Sequence, residues 1–337
     1  MISRYRLSIM AELFARRIRP DYNPRTGHSL LDGPRIIQIQ TIDACNGLCL
    51  SCPHSTNQNR KSNRRMDSDL YLKLLEDCKR NRSLKTLVLM LQNEPIMDDE
   101  LAGRIRQARA RLGKSIRIFI VTNGTLLSPF RMKKLFEAGL DRIEVSIDAL
   151  TKETYARVRR GLDFERVTEN TQALIDYRGR KKAVVRFLIQ KGNADELTAF
   201  TSYWRRKGAT VQTDIVANRA GSLRHFDALR FVTPISLYTR MRDVVLGTRP
   251  CVFGPFDRLT VLHDGRVLVC CHDWEHTTTL GDLSRQSLSE VWEGRMAAQY
   301  RDMLWHGRFG ESELCSMCSN RFVFPGKSPQ KTRSKKY

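Results

Sequence analysis

The sequence lacks any apolar run approaching the roughly 18 residues needed to cross a bilayer, and the arginines near its start precede no secretory apolar stretch. Both absences lead to the expectation of a cytoplasmic protein. Acidic residues are scarce as well: 36 Asp and Glu against 58 Lys and Arg leave a net charge of +22. The excess is spread through the body of the chain as well as its ends. It reads either as a solvated basic surface or as affinity for an anionic partner, such as a phosphorylated substrate, an acidic peptide, nucleic acid or a membrane surface. An even cysteine count is also missing. Nine cysteines cannot all pair, and most fall in the groups Cys45/Cys49/Cys52, Cys270/Cys271 and Cys315/Cys318. Such spacings suit metal ligation in a reducing compartment better than a disulfide framework.

What is present reads as one large domain with an appendage, with 41% hydrophobic residues over 337 positions. Residues 1–34 form a basic extension in which Ile2, Tyr5, Ile9 and Leu13 recur at helical spacing before Pro20, Pro24, Gly27, Gly33 and Pro34 break the pattern. Over 35–235, apolar runs at Arg35–Gln40, Leu84–Gln92, Ile116–Thr122, Arg142–Ile147, Ala183–Ile189 and Thr210–Ile215 alternate with helical segments. Repeated β-α order requires a parallel sheet, open or curled into a barrel, with functional groups beyond the strands' C-terminal ends. The cysteine triplet, Asn93-Glu94-Pro95, Asn123-Gly124 and Asp148 follow the first four strands in turn, so they should share one rim. Residues 236–325 hold an expected hairpin, Arg258–Leu262 with Arg266–Cys270, then a helical segment around Leu288–Tyr300 and the Cys315/Cys318 pair. Their few apolar elements make a metal staple plausible. The tail 326–337 is basic, lacks a hydrophobic pattern and is expected to be disordered.

In Cys45-Asn46-Gly47-Leu48-Cys49-Leu50-Ser51-Cys52, three thiolates lie directly after a strand. Three cysteines on a cubane cluster leave one iron open to an exogenous ligand, whereas zinc held by the same thiols and His54 is the competing reading. CNGLCLSC resembles the C-x3-C-x2-C signature of the radical S-adenosylmethionine (radical SAM) superfamily. Gln92-Asn93-Glu94-Pro95 resembles that family's glycine-glycine-glutamate-proline motif, and Val145–Ala149 its serine-isoleucine-aspartate-glycine segment; Tyr155, Arg159 and Phe164 follow in family order. Two departures stand out: Ser51 replaces a bulky residue, and Gln92-Asn93 replace two glycines.

The resemblance implies an α/β fold, a partial (β/α)6 barrel, with a [4Fe-4S] cluster on Cys45, Cys49 and Cys52. It places Asn93 and Glu94 at the amino end of SAM, Ser146 and Arg159 at its carboxylate or ribose, and Asn123 and Asp148 on the same rim. The C-terminal region resembles the family's auxiliary-cluster extension, SPASM in its full form and twitch in its shorter one. That implies a small hairpin and helix domain holding one auxiliary [4Fe-4S] cluster on Cys251, Cys270, Cys315 and Cys318, although a four-cysteine zinc fits the same spacing. Cys271 is left over as a hydrogen-donor candidate or a buried small residue. The implied activity is reductive SAM cleavage to a 5′-deoxyadenosyl radical that takes hydrogen from a carbohydrate or small natural product. Dehydrogenation leads, with electrons from a donor such as flavodoxin or ferredoxin. Epimerisation and ribosomal-peptide modification are alternatives within the family. A zinc-stapled nucleic-acid-binding protein is the reading from another class, and it leaves the strand-end motifs unexplained.

Overall fold

The structure, a computed structural model, describes residues 31–55, 62–179, 182–231, 251 and 254–319. The tail 326–337, the expected boundary at 235/236 and nearly all of the extension 1–34 lie outside the described residues.

Six strands, β1 (Ile36–Ile39), β2 (Thr86–Val88), β3 (Arg117–Thr122), β4 (Arg142–Ser146), β5 (Ala183–Ile189) and β6 (Thr210–Ile215), pair in parallel and in chain order. Their branched residues alternate in facing. On β4, Ile143 and Val145 enter the core beneath the helices, and Arg142, Glu144 and Ser146 take the opposite, inner face. The intervening helices are α1 (Ser68–Arg80), α2 (Leu101–Leu112), α3 (Pro129–Glu137), α4 (Lys152–Val158), α5 (Phe164–Arg178) and α6 (Leu197–Arg206). Side chains of Asp67, Ser128, Thr151 and Asp163 accept backbone N–H bonds at the starts of α1, α3, α4 and α5. The short α7 (Phe226–Leu229) follows β6.

The expected β2 run of Leu84–Gln92 ends early. Beyond Leu89 the chain turns into local contacts: Leu91 N–H donates to Asn93 Oδ1 at 3.0 Å, and the Gln92 side chain reaches a distant loop.

After α7 the expected hairpin forms as β7 (Arg258–Val261) and β8 (Arg266–Leu268), followed by β9 (Gly281–Asp282). β7 lies parallel to β1, so the hairpin extends the barrel sheet to nine strands, and the sheet stays open between β6 and β9. The architecture is a partial barrel. The low apolar content of this region is met by sharing: Leu259, Val261, Val267, Leu283 and Trp292 belong to the same core as the barrel strands. The seam is also polar, with Lys73 Nζ donating to Leu283 O at 2.7 Å and Leu288 N–H to Asp77 Oδ2 at 3.1 Å. The single helical segment expected around Leu288–Tyr300 is two helices, α8 (Leu288–Trp292) and α9 (Arg295–Trp305), parted at Gly294 with ψ 157°. A Cβ at Gly294 would meet Glu290 O at 2.7 Å, which explains glycine at the break. The last helix is α10 (Glu313–Met317).

Candidate active site

The loop after β1 carries Cys45, Cys49 and Cys52, and its backbone is tied to its neighbours. Leu48 N–H donates to Arg160 O at 2.7 Å, Leu50 N–H to Val158 O at 3.0 Å, and Glu94 N–H to Ala44 O at 2.8 Å. The loop's form therefore does not depend on its thiols alone. Burial, then the nearby Glu94 carboxylate, pushes the Cys45 thiol well up. Burial and Cys49 push Cys52 up to about 11. A bound cation would draw the protons off Cys45 and Cys52, and three thiols in one loop are the donor chemistry of an iron-ligand set.

Glu94 is 2% exposed and anchors the rim. Its Oε1 accepts from Thr122 Oγ1 at 2.6 Å and Ile96 N–H at 3.1 Å, and its Oε2 accepts from Asn123 N–H at 2.7 Å. A carboxylate has about four acceptor positions, so Oε2 retains one for a ligand's ammonium. Burial pushes the Glu94 carboxyl up, and these hydrogen bonds oppose it. Asn123 Nδ2 donates to Asn46 Oδ1 at 2.7 Å, which joins the third strand's loop to the cysteine loop. Asn93 Nδ2 is buried with no partner among the described residues, a donor suited to a ligand's acceptor. Ser146 ends β4 on the inner face, half-buried.

Arg159 closes the rim. Its Nη2 lies 2.5 Å from Asp148 Oδ2, and its Nη1 lies 3.5 Å from Cys49 Sγ. Asp148 Oδ1 accepts from Leu188 N–H at 2.7 Å. Asp148 thus spends one oxygen on Arg159 and the other on the Leu188 backbone, and so aims the guanidinium. Asp148 holds φ 61°, a conformation Asp tolerates better than most residues.

The second cysteine set also converges: Cys251, Cys270, Cys315 and Cys318 line one cavity with Val269, Leu304 and other apolar side chains. Burial pushes Cys315 up to about 11 and pushes Cys270 well up too. Cys271 is not among the cavity's lining residues, and its thiol is hydrogen-bonded by Arg258. Among the described residues, no group of three or more His, Cys, Asp or Glu is assembled to hold a metal ion. Seven thiols in a set of three and a set of four nevertheless match, in donor chemistry, one open and one closed iron–sulfur site.

The structure therefore brings Cys45, Cys49, Cys52, Asn93, Glu94, Asn123, Ser146, Asp148 and Arg159 to one end of the barrel strands, and Cys251, Cys270, Cys315 and Cys318 to one cavity. It adds residues that motif reading passed over. Gln92 Nε2 donates to Asp273 O at 2.9 Å and Cys271 O at 3.3 Å, while its Oε1 meets His276 Nε2 at 2.9 Å. The departure from glycine thus links the Glu94 loop to the loop after Cys270. The only advance signal was the departure itself. Gly124 is a further structural requirement: at φ 79°, an added Cβ would lie 2.7 Å from Val145 and from Val167. Gly124→Ala is expected to lower stability by about 1 to 3 kcal/mol and to shift the neighbouring Asn123. Urea unfolding checks it; unchanged stability would contradict the packing described.

Known proteins resemble this chain in both of its regions. The Radical SAM superfamily model matches residues 39–200, and the SPASM iron–sulfur cluster-binding domain model matches residues 251–319. The S-adenosyl-L-methionine-dependent 2-deoxy-scyllo-inosamine dehydrogenase of Niallia circulans is 24% identical over 286 residues, 85% of this chain and 92% of that protein. A probable GTP 3′,8-cyclase of Methanococcus maripaludis is 29% identical over 181 residues, which spans 53% of this chain but only 57% of the cyclase. The fold is similar to that of BtrN in complex with AdoMet and 2-DOIA, at TM-score 0.57 and 21% identity, covering 85% of this chain and 92% of that one. Two domain models that together span more than half of the sequence, in the order in which the two cysteine sets occur, establish that this chain belongs to the radical SAM superfamily and carries a C-terminal SPASM domain.

Proposed function

We propose that the chain is a radical SAM dehydrogenase of a small molecule, with one [4Fe-4S] cluster on Cys45, Cys49 and Cys52 and a second on Cys251, Cys270, Cys315 and Cys318. The observation that carries the reading is the pair of cysteine sets: three beside the Glu94 and Arg159 rim, and four around a single cavity. When bound, the first cluster and SAM supply a 5′-deoxyadenosyl radical able to take hydrogen from an unactivated C–H bond. The chain's own residues bind and orient. Glu94 receives the amino group of SAM, Asn93 contacts the same end of SAM through its Nδ2 donor, and Asn123, fixed by Asn46, shapes the adjoining wall. Ser146 and Arg159 face its carboxylate or ribose, with Asp148 holding the guanidinium in a forked pose suited to a carboxylate. A flavodoxin- or ferredoxin-type donor supplies the electron. The similarity to the inosamine dehydrogenase along most of both chains supports dehydrogenation over epimerisation. The complete four-thiol set supports it too, because closed ligation favours electron transfer over substrate binding.

Anaerobically reconstituted protein, given SAM and dithionite, is expected to form 5′-deoxyadenosine; absence of that product overturns the enzyme reading. With cyclitols, amino sugars and sugar phosphates offered in turn, the true substrate should lose two hydrogens by mass. Unchanged mass with deuterium gained from solvent would establish epimerisation instead.

A further inference from the structure

The inner face of the sheet carries both signs of charge, but they do not balance. Glu144, 1% exposed, lies between Arg142 and Arg186, with Arg186 Nη1 at 2.6 Å, and Arg186 also pairs with Asp214. Arg159 is matched by Asp148. Arg219 has no such partner. Among the described residues no carboxylate lies within ion-pair distance of it, and its Nε is buried without a hydrogen bond. An uncompensated guanidinium that is partly withdrawn from water is costly unless an anion joins it.

Its placement is specific. Arg219 acts electrostatically on Cys52 of the first cysteine set and on Cys271 and His272 beside the second. The next residue, Ala220, lines the four-cysteine cavity. Arg258 starts β7 on the face opposite Leu259, bonds the Cys271 thiol and acts on His272 as well. Both guanidiniums thus lie within electrostatic reach of Cys271 and His272, and Arg219 within reach of Cys52 as well.

The turn that presents Arg219 is strained and clamped. Arg219 and Ala220 both hold φ 52°, consecutive left-handed residues that are not glycine. Such strain persists where surrounding contacts over-determine it, and it concentrates at ligand clamps. Here the clamp is Asn218: its Nδ2 donates to Met317 O at 2.6 Å, and its Oδ1 accepts from Ser319 N–H at 2.8 Å. The turn that carries Arg219 is therefore fixed to the segment that bears Cys315 and Cys318.

We propose that Arg219, with Arg258, is the receptor for an oxyanion, a phosphate or carboxylate carried by the substrate, in the region between Cys52 and Cys271. This rests on the function proposed above and names its substrate class. A planar guanidinium pairs bidentately with either oxyanion, whereas a substrate presenting an ammonium there would meet like charge.

The test is calorimetric titration of the anaerobically reconstituted, SAM-loaded full chain with inorganic phosphate, acetate, inositol and glucosamine at low ionic strength. Saturable one-to-one binding of phosphate or acetate is expected, with none of inositol or glucosamine; which anion binds more tightly separates a phosphate ester from a carboxylic acid. Arg219→Gln should weaken that binding roughly tenfold or more. Arg219→Lys should restore part of it, and Arg111→Gln, which removes a guanidinium paired with Glu76, should change nothing. Unaltered affinity in Arg219→Gln, equal loss in Arg111→Gln, or preferred binding of glucosamine overturns the proposal. Iron content of each variant shows whether the site survived substitution. Because binding is read without turnover, a wild-type protein that binds phosphate but makes no 5′-deoxyadenosine would defeat the enzyme reading and leave the anion site standing.

Discussion

Replacing Cys45, Cys49 and Cys52 together with alanine is expected to abolish 5′-deoxyadenosine formation and to halve the iron and sulfide, from about eight of each per chain to about four. The loss should be absolute because the two cysteines outside both sets are committed elsewhere. Cys271 is held by Arg258, and Cys78 is buried in α1 at 2% exposure. The fold should survive. Backbone bonds from Leu48, Leu50 and Glu94 hold the loop whether or not the thiols are ligated, so far-ultraviolet circular dichroism should match the wild type. The complementary Cys315→Ala/Cys318→Ala variant should lose the other half of the iron and melt earlier, because those thiols lie where the smaller Phe256–Met303–Leu304–Phe309 cluster has little core of its own. SAM cleavage by the triple variant would show that the radical arises elsewhere.

The contrast between these variants reflects how the two regions could be read in advance. β5 was legible because its branched run is buried, and β6, which has no buried residue, from its Thr, Val and Ile content; both fall where the pattern placed them. The strand-end motifs were legible because a β/α sheet delivers its loops to one end. Other features depended on long-range geometry. β7 pairs with β1 across more than two hundred residues of sequence, and hydropathy carries no signal for that choice, so the C-terminal region read as a unit of its own. Gln92 read as a lapse from a glycine motif because its partners Asp273 and His276 come close only after the hairpin has joined the sheet. Arg219 was invisible among 58 basic residues: what distinguishes it is a left-handed turn and, among the described residues, the lack of a carboxylate at ion-pair distance, and both are tertiary facts.

Arg159→Gln should cost stability as well as activity, because Arg159 answers a charge the fold has already buried. Asp148 is 1% exposed, and without the guanidinium its Oδ2 loses its ion pair while Oδ1 keeps only Leu188 N–H. Breaking a buried pair from one side costs about 3 to 5 kcal/mol. Asp148→Asn should cost less, since asparagine tolerates the same left-handed backbone and leaves the guanidinium beside Cys49. In a double-mutant cycle the Arg159→Gln/Asp148→Asn pair should therefore be more stable than Arg159→Gln alone. The pH dependence has a definite sign. Burial pushes the Asp148 carboxyl up and Arg159 is the main opposing influence, so removing Arg159 raises it further. The folded state then binds more protons than the unfolded chain, and stability falls as pH rises from the ordinary carboxylate range through the raised value. Urea unfolding of Arg159→Gln should thus show a deficit that is smallest in acid and grows toward neutral pH, and the Asp148→Asn background should remove that slope. A deficit independent of pH, or a double variant no better than the single, would mean that Arg159 stabilises the rim by packing alone. SAM affinity separates the roles once more: Arg159→Gln should weaken it by roughly tenfold or more, whereas Asp148→Asn, which leaves the fork in place but less firmly aimed, should weaken it less.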